Sequence, residues 1–143
     1  MKSDVLLRGL AFGEGPRWHD GKLWFSDFYR HGIYTVDSSG KEELILGVPT
    51  QPSGLGWLPN GDLIFVSMLD RSLKRLSSDG QVHLHADLSD IAAGPCNDMV
   101  VSADGTAYVG NFGFDEGEDY AQASLAIVYA DGRVLAGPSG FDF

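Results

Sequence analysis

The sequence predicts an all-β protein built from β-propeller blades, each blade being a sheet of four antiparallel strands. Three observations lead to this prediction. A unit of about 40 residues recurs three times along the 143-residue chain, and this is the length of one propeller blade. Each copy carries two glycine-containing turns between short apolar runs, the strongest local signal of a β-hairpin. The 19 glycines and six prolines also favour frequent tight turns over long helices.

The first copy is predicted to span residues 14–48. A short strand meets a turn at Asp20-Gly21, and a second strand rich in aromatic residues follows from Leu23 to Asp27. A third strand meets another turn at Ser39-Gly40, and a weaker fourth strand closes the unit. Glycine suits both turns because it tolerates the positive φ that tight hairpins need.

The second and third copies, residues 53–90 and 97–138, follow the same order. Their turns are Asn60-Gly61, Asp79-Gly80, Asp104-Gly105 and Asp131-Gly132. The first-turn glycines of the three copies are 40 and 44 residues apart. A sandwich of hairpins has turns at a similar spacing, but the recurrence of both turns in every copy favours a propeller.

We therefore treat residues 1–143 as one partial propeller domain. A propeller closes a ring of about four to eight blades, and three blades do not close one. We expect the chain to be a fragment, or copies of it to associate and complete the ring. If the chain ends at Phe143, self-association is expected, because the outer face of the third blade would expose Leu125, Ile127 and Val128.

Composition limits the partners. The chain is 43% apolar and has a formal net charge of −10, so its surface would repel nucleic acid and anionic membranes. The single cysteine, Cys96, cannot form an internal disulfide. The first ten residues lack the apolar core of a signal peptide, and no apolar run is long enough to span a bilayer. We predict a cytoplasmic protein with no nucleic-acid or membrane partner.

Three polar residues occupy the same position of the three copies: Glu14, Ser53 and Asn97. Each lies four residues before the end of its copy's first strand. First strands line the channel of a propeller, so these positions should converge at one rim. Carboxylate, hydroxyl and carboxamide oxygens suit a hard divalent cation. Alternatively, Glu14 is simply solvated and the other two residues form local turns; the residues alone leave both interpretations open.

Other candidates are weaker. His83 and His85 alternate along one predicted strand and share a face, so they could ligate a metal ion. That strand is the outermost of its blade, however, where two histidines are more simply explained as solvent-exposed residues. Cys96 follows Pro95 and has no evident histidine partner, which favours a buried structural thiol over a nucleophile.

Two segments carry a family resemblance. Gly13-Glu-Gly-Pro-Arg-Trp18, followed by Leu23-Trp-Phe-Ser-Asp27, resembles the opening blade of the SMP-30/gluconolactonase-like family. Cys96-Asn-Asp-Met-Val-Val101, followed by Gly110-Asn-Phe-Gly-Phe-Asp115, resembles its third blade. The resemblance extends from about residue 9 to the end of the chain.

The resemblance implies a six-bladed propeller, of which about three blades are present, with one divalent metal ion at the channel mouth, most often calcium or zinc. It implies hydrolysis of a lactone, such as a sugar lactone. Glu14 matches a metal ligand, and Asn97 matches a residue near both metal and substrate, so we predict both as metal ligands. We predict Ser53, Asn97 and Asn111 as substrate contacts. The catalytic acidic base is unknown and is expected beyond Phe143.

Two details qualify the resemblance. Animal members carry a substrate-binding arginine where this chain has Pro95, which leaves the identity of the lactone open. Residues 4–10 are predicted to form a strand, which in the family pairs with the last blade; that blade is missing from this chain. The alternative functions are a non-catalytic propeller that serves as a binding platform and a half-propeller that assembles into an oligomer.

Overall fold

The computed structural model describes residues 4–115, 117 and 119–142, and its regular elements are all β-strands. Blade 1 consists of β1 (Gly13–His19), β2 (Lys22–Asp27), β3 (Gly32–Val36) and β4 (Glu42–Gly47). Blade 2 consists of β5 (Pro52–Trp57), β6 (Leu63–Ser67), β7 (Ser72–Leu76) and β8 (Val82–Asp87). Blade 3 consists of β9 (Cys96–Val101), β10 (Ala107–Asn111), β11 (Ala123–Val128) and β12 (Val134–Phe141). Each blade is an antiparallel meander in chain order, which confirms the predicted fold class.

The hairpin turns lie at the predicted sites, but they have two geometries. Asp20 and Gly21 form a two-residue turn with φ of 48° and 75°, the two positive values of a type I′ turn. The other predicted turns are one residue longer. In the first turn of blade 2, the N–H of Leu58 donates to the carbonyl of Asp62 at 2.9 Å. The N–H of Gly61 donates to the carbonyl of Leu58, also at 2.9 Å. The glycine of each longer turn has φ between 82° and 89°, as in a type I turn with a glycine bulge.

The first strand of each blade, β1, β5 or β9, is its inner strand. The three inner strands lie side by side, with β5 in contact with both of the others. Two glycines of β5 allow β9 to approach closely. A Cβ added at Gly54 would lie 2.4 Å from the amide nitrogen of Met99, and one added at Gly56 would lie 2.3 Å from Cγ2 of Val101. Neither distance is compatible with a side chain, so glycine at these positions sets the spacing between blades 2 and 3.

The core lies between neighbouring blades. The larger part fills the space between blades 2 and 3 and contains the fully buried Ile64, Leu73, Leu88, Val109 and Val128. The smaller part joins blades 1 and 2 and contains Ile33, Val48, Leu55, Leu63 and Phe65. Each blade thus buries a face that it could not bury alone.

One expectation about blade 3 is wrong. Val128 was expected on the outer face together with Leu125 and Ile127, but its side chain is buried in the core toward blade 2. Successive side chains of a strand point to opposite faces, so Ile127 and Val128 cannot share one. Leu125 and Ile127 are partly exposed.

The N-terminal segment forms no strand from residue 4 to residue 10. Leu7 packs against the apolar cluster of Phe25, Tyr34 and Val36 on blade 1. The predicted pairing of this segment with a further blade involves residues outside the chain, so it stays a prediction. The part of the chain that the structure describes contains no helix that could span a lipid bilayer.

We expect Gly54→Ala to lower the free energy of unfolding by about 2 kcal/mol, because the added methyl group would push β5 and β9 apart. Gly47→Ala is the matched control. Gly47 also lies in a strand, but its added Cβ would meet nothing within 4 Å. The control should therefore be neutral, or stabilising by up to about 1 kcal/mol. Urea unfolding of both variants tests this, and equal midpoints would contradict the close-approach explanation.

Candidate functional site

Glu14, Ser53 and Asn97 lie where the three inner strands begin, an edge of the molecule that we call the upper rim. Glu14 is the second residue of β1, Ser53 the second of β5 and Asn97 the second of β9. The hydroxyl of Ser53 donates to Oδ1 of Asn97 at 2.9 Å, and it also lies close enough to Glu14 to influence its pKa. The structure therefore brings the three repeat-equivalent residues together.

Glu14 has an unusual environment for a carboxylate. Burial raises its pKa above the ordinary value of 4.5; the neighbouring Ser53 hydroxyl partly opposes this rise, and the negative charge of Asp98 adds to it. Its Oε1 atom is buried and has no hydrogen-bond partner among the described residues. The Ser53 hydroxyl has a single proton, and it donates this proton to Asn97. A buried, unpartnered carboxylate oxygen costs stability unless a ligand or cation satisfies it.

Arg17 joins blade 1 to blade 3 below the rim, a contact that the sequence did not predict. Its Nη2 atom donates to Oδ1 of Asp98 at 3.0 Å and to the carbonyl of Met99 at 2.6 Å. One sequence signal pointed to Asp98: the other two copies have glycine at this position, Gly15 and Gly54. Arg17 offsets the charge of Asp98, which would otherwise repel Glu14 more strongly.

Asn111 is at the upper rim, where its side-chain amide holds a loop. Its Nδ2 donates to the carbonyl of Ser124 at 2.6 Å, and its Oδ1 accepts from the N–H of Gly113 at 2.9 Å. These two bonds fasten the connection between β10 and β11. The predicted contact of Asn111 with substrate stays a prediction.

Asp27 is the last residue of β2, as Asn111 is the last residue of β10, and its side chain likewise forms hydrogen bonds with the backbone of neighbouring segments. Its fully buried carboxylate accepts hydrogen bonds from the N–H groups of Ala11 at 2.8 Å, Phe12 at 2.9 Å and Arg30 at 3.2 Å. It thereby fixes the chain just before Glu14. A buried carboxylate with several N–H donors is a stable structural group.

Of the weaker candidates, the two histidines lie apart from this site, and Cys96, which precedes Asn97, has its side chain in the core. His83 is exposed on the outermost strand β8. Burial lowers the pKa of His85, its neighbour on that strand. Cys96 is buried, and burial raises the pKa of its thiol to about 12, so the reactive thiolate is disfavoured. Within the described ranges, no three His, Cys, Asp or Glu side chains are grouped so that they alone could hold a metal ion.

The fold and the rim define a class: β-propeller blades whose inner strands carry a compact set of oxygen-bearing side chains at one edge. The chain belongs to the SMP-30/gluconolactonase/LRE-like family, whose profile matches residues 12–139. This confirms the resemblance seen in the sequence. The comparison with curated proteins gives no match.

Solved structures share the fold. A gluconolactonase from Xanthomonas campestris is 22% identical with a TM-score of 0.69, and the match covers 87% of this chain and 46% of that one. The calcium-binding protein regucalcin from Agrobacterium tumefaciens is 22% identical with a TM-score of 0.72, covering 89% and 43%. A luciferin-regenerating enzyme is 20% identical with a TM-score of 0.74, covering 92% and 47%. The chain thus spans about half the length of the structures that it matches, and at these identities the likeness concerns the fold alone.

In the absence of metal, we expect Glu14→Gln to stabilise the protein by about 1 kcal/mol, because the substitution removes a buried charge. The size of this stabilisation depends on pH. A carboxyl whose pKa is raised by folding destabilises the native state only where it is ionised. The stability difference between the variant and the wild type should therefore be small below pH 4.5 and grow as pH rises through the raised pKa.

Urea unfolding with a chelator at several pH values measures this difference. Asp90→Asn serves as the control because Asp90 is an exposed carboxylate, and its substitution should change stability little. A Glu14→Gln variant that is less stable than the wild type at neutral pH would contradict the description of Glu14.

Proposed function

We propose that this chain forms part of a metal-dependent hydrolase that opens a lactone ring at the upper rim. The observation that carries the proposal is the convergence of Glu14, Ser53 and Asn97, with one carboxylate oxygen buried and unpartnered. Membership of the SMP-30/gluconolactonase/LRE-like family supports the same reaction class. The structural neighbours named as a gluconolactonase and as calcium-binding regucalcin agree with it.

The residues of the rim fit a hard divalent cation. Oε1 of Glu14 supplies a carboxylate oxygen that has no partner among the residues described, and Oδ1 of Asn97 supplies an amide oxygen with a second lone pair to share. In this proposal Glu14 and Asn97 hold the ion, and calcium or zinc suits these donors. Two protein ligands do not complete a coordination shell, so the remaining ligands come from water or from residues outside this chain.

Each rim residue then has a distinct task. The bound cation would polarise the lactone carbonyl and stabilise the negative charge that develops on its oxygen. Asn97, held in place by the Ser53 hydroxyl, would direct its amide N–H groups toward the ring of the substrate. Ser53 would position Asn97 and border the substrate.

The general base is proposed to be a carboxylate outside these 143 residues. Two carboxylates close to the rim are already engaged: Asp27 by three backbone N–H groups and Asp98 by Arg17. Glu14 serves as a ligand in this proposal. A base must be within hydrogen-bond reach of the attacking water and must be able to accept a proton.

Two further predictions accompany this function. A cytoplasmic location agrees with the single buried Cys96. Self-association of a protein ending at Phe143 remains a proposal, and light scattering on residues 1–143 tests it.

In the protein at its full natural length, we expect Glu14→Gln to weaken Ca²⁺ or Zn²⁺ binding by about tenfold or more, because it removes a charged ligand. Hydrolysis of lactones should fall to background. Calorimetric titration measures the affinity, and acid release at constant pH measures the hydrolysis.

His83→Ala is the control, since His83 is exposed on the outermost strand of blade 2. Its metal affinity and activity should match those of the wild type. Unchanged affinity in Glu14→Gln, or an equal loss in His83→Ala, would refute the proposed site.

A further inference from the structure

A cavity of about 540 Å³ opens at the upper rim among loops of all three blades. Most of its wall is apolar: Phe28, Tyr29, Met68, Leu69, Phe112 and Phe114. Its volume lies within the range of small-molecule sites, roughly 300–1,000 Å³.

The cavity adjoins the candidate site. Gln51 and Pro95 also line it, and they precede Ser53 and Asn97 by two residues each. Two residues of chain span at most about 7 Å. On blade 1, Phe12 precedes Glu14 by two residues. Its ring packs against the ring of Phe28, with 4.4 Å between the ring centroids. The polar rim and the apolar cavity are thus parts of one continuous surface.

Backbone hydrogen bonds between different loops hold the cavity walls. The N–H of Met68 donates to the carbonyl of Gln51 at 2.9 Å, and the N–H of Phe112 donates to that of Pro95 at 3.1 Å. The N–H of Cys96 donates in turn to the carbonyl of Met68 at 3.3 Å. These bonds tie the lining segments to one another, so the shape of the cavity is set before a ligand arrives.

The chemistry of the lining favours an apolar ligand. Tyr29 and Leu69 are 60% and 55% exposed, so a ligand that covers them removes apolar surface from water. Among the lining residues that the structure describes, the polar side-chain groups are those of Tyr29, Gln51 and Asp115. A polyhydroxylated sugar ring needs a hydrogen-bond partner for each hydroxyl that it buries, and aromatic walls do not supply them.

We propose that this cavity selects the substrate, which is a lactone whose ring carries or is fused to an aromatic or aliphatic group. The apolar part of the substrate occupies the cavity, and its carbonyl faces the rim of Glu14, Ser53 and Asn97. This inference rests on the proposed hydrolase function, and it replaces a sugar lactone by an apolar one as the preferred substrate.

Binding and hydrolysis are tested separately, with the protein at its full natural length. Chroman has the fused ring shape of 3,4-dihydrocoumarin but no carbonyl, so it measures occupation of the cavity without any reaction. Ligand-observed NMR titration gives its affinity. Hydrolysis of 3,4-dihydrocoumarin and of glucono-δ-lactone is then compared with bound Ca²⁺ or Zn²⁺.

The variant is Leu69→Gln and its matched control is Leu84→Gln. Both leucines are exposed, at 55% and 65%, so both substitutions leave the core intact, but Leu84 lies on the outer strand β8. We expect chroman to bind, Leu69→Gln to weaken its binding by about tenfold, and Leu84→Gln to leave it unchanged. We also expect a higher kcat/KM for 3,4-dihydrocoumarin than for glucono-δ-lactone.

The outcomes separate the two proposals. Efficient hydrolysis of glucono-δ-lactone without chroman binding would overturn the cavity assignment and leave the hydrolase function standing. Chroman binding that both variants weaken equally would also overturn it, because the site would then lie elsewhere. Chroman binding at the cavity with no hydrolysis of either lactone would refute the hydrolase function, and with it the assignment of a lactone to this cavity.

Discussion

The close approach of the inner strands is the constraint on which the rest of this structure depends. Gly54 lets the backbone of β5 approach the backbone of β9 at Met99, and Gly56 leaves room for the side chain of Val101. Only at this separation does the hydroxyl of Ser53 reach Asn97. The same approach allows the sheets of blades 2 and 3 to bury the larger apolar core between them. Packing and the candidate site therefore have a common origin, since a sheet that moved outward would lose both.

The environment of Glu14 is unfavourable for stability. Its buried oxygen has no partner in the described part of the chain, which costs stability in the free protein and would serve the proposed binding of a cation. The surroundings limit the cost. Asp27 holds the chain before Glu14 through backbone N–H groups, and Arg17 pairs with Asp98 to reduce the negative charge nearby. Polar groups that are fully satisfied thus support one that is not.

The upper rim combines an oxygen-rich edge with an aromatic cavity, and in the proposed reaction the two take different parts of one substrate. The polar edge suits the carbonyl, where charge develops, and the cavity suits a part that does not react. Binding energy from such a remote part orients the reacting group. In the proposed reaction the product is a carboxylate. The net charge of −10 would favour its departure.

Much of the fold was predictable because its determinants are local. The turns depend on glycine at positions of positive φ, and the strands depend on short apolar runs, so each copy reveals its blade within about 40 residues. The site was predictable for the same reason, because equivalent positions on the inner strands of successive blades lie close together at one rim. The equivalence of Glu14, Ser53 and Asn97 could therefore be inferred from spacing alone.

The sequence by itself determined the repeat, the strands, the turns and the three rim residues. Only the tertiary structure decided which face of β11 is buried, that Asn111 uses its amide to hold a loop, and that Arg17 reaches a carboxylate 81 residues away. It alone also brought rings from the loops of three blades around one cavity. The physical reason is the same in each case. These features depend on the direction and distance between side chains of different blades, and packing sets both quantities without leaving a period or motif along the chain.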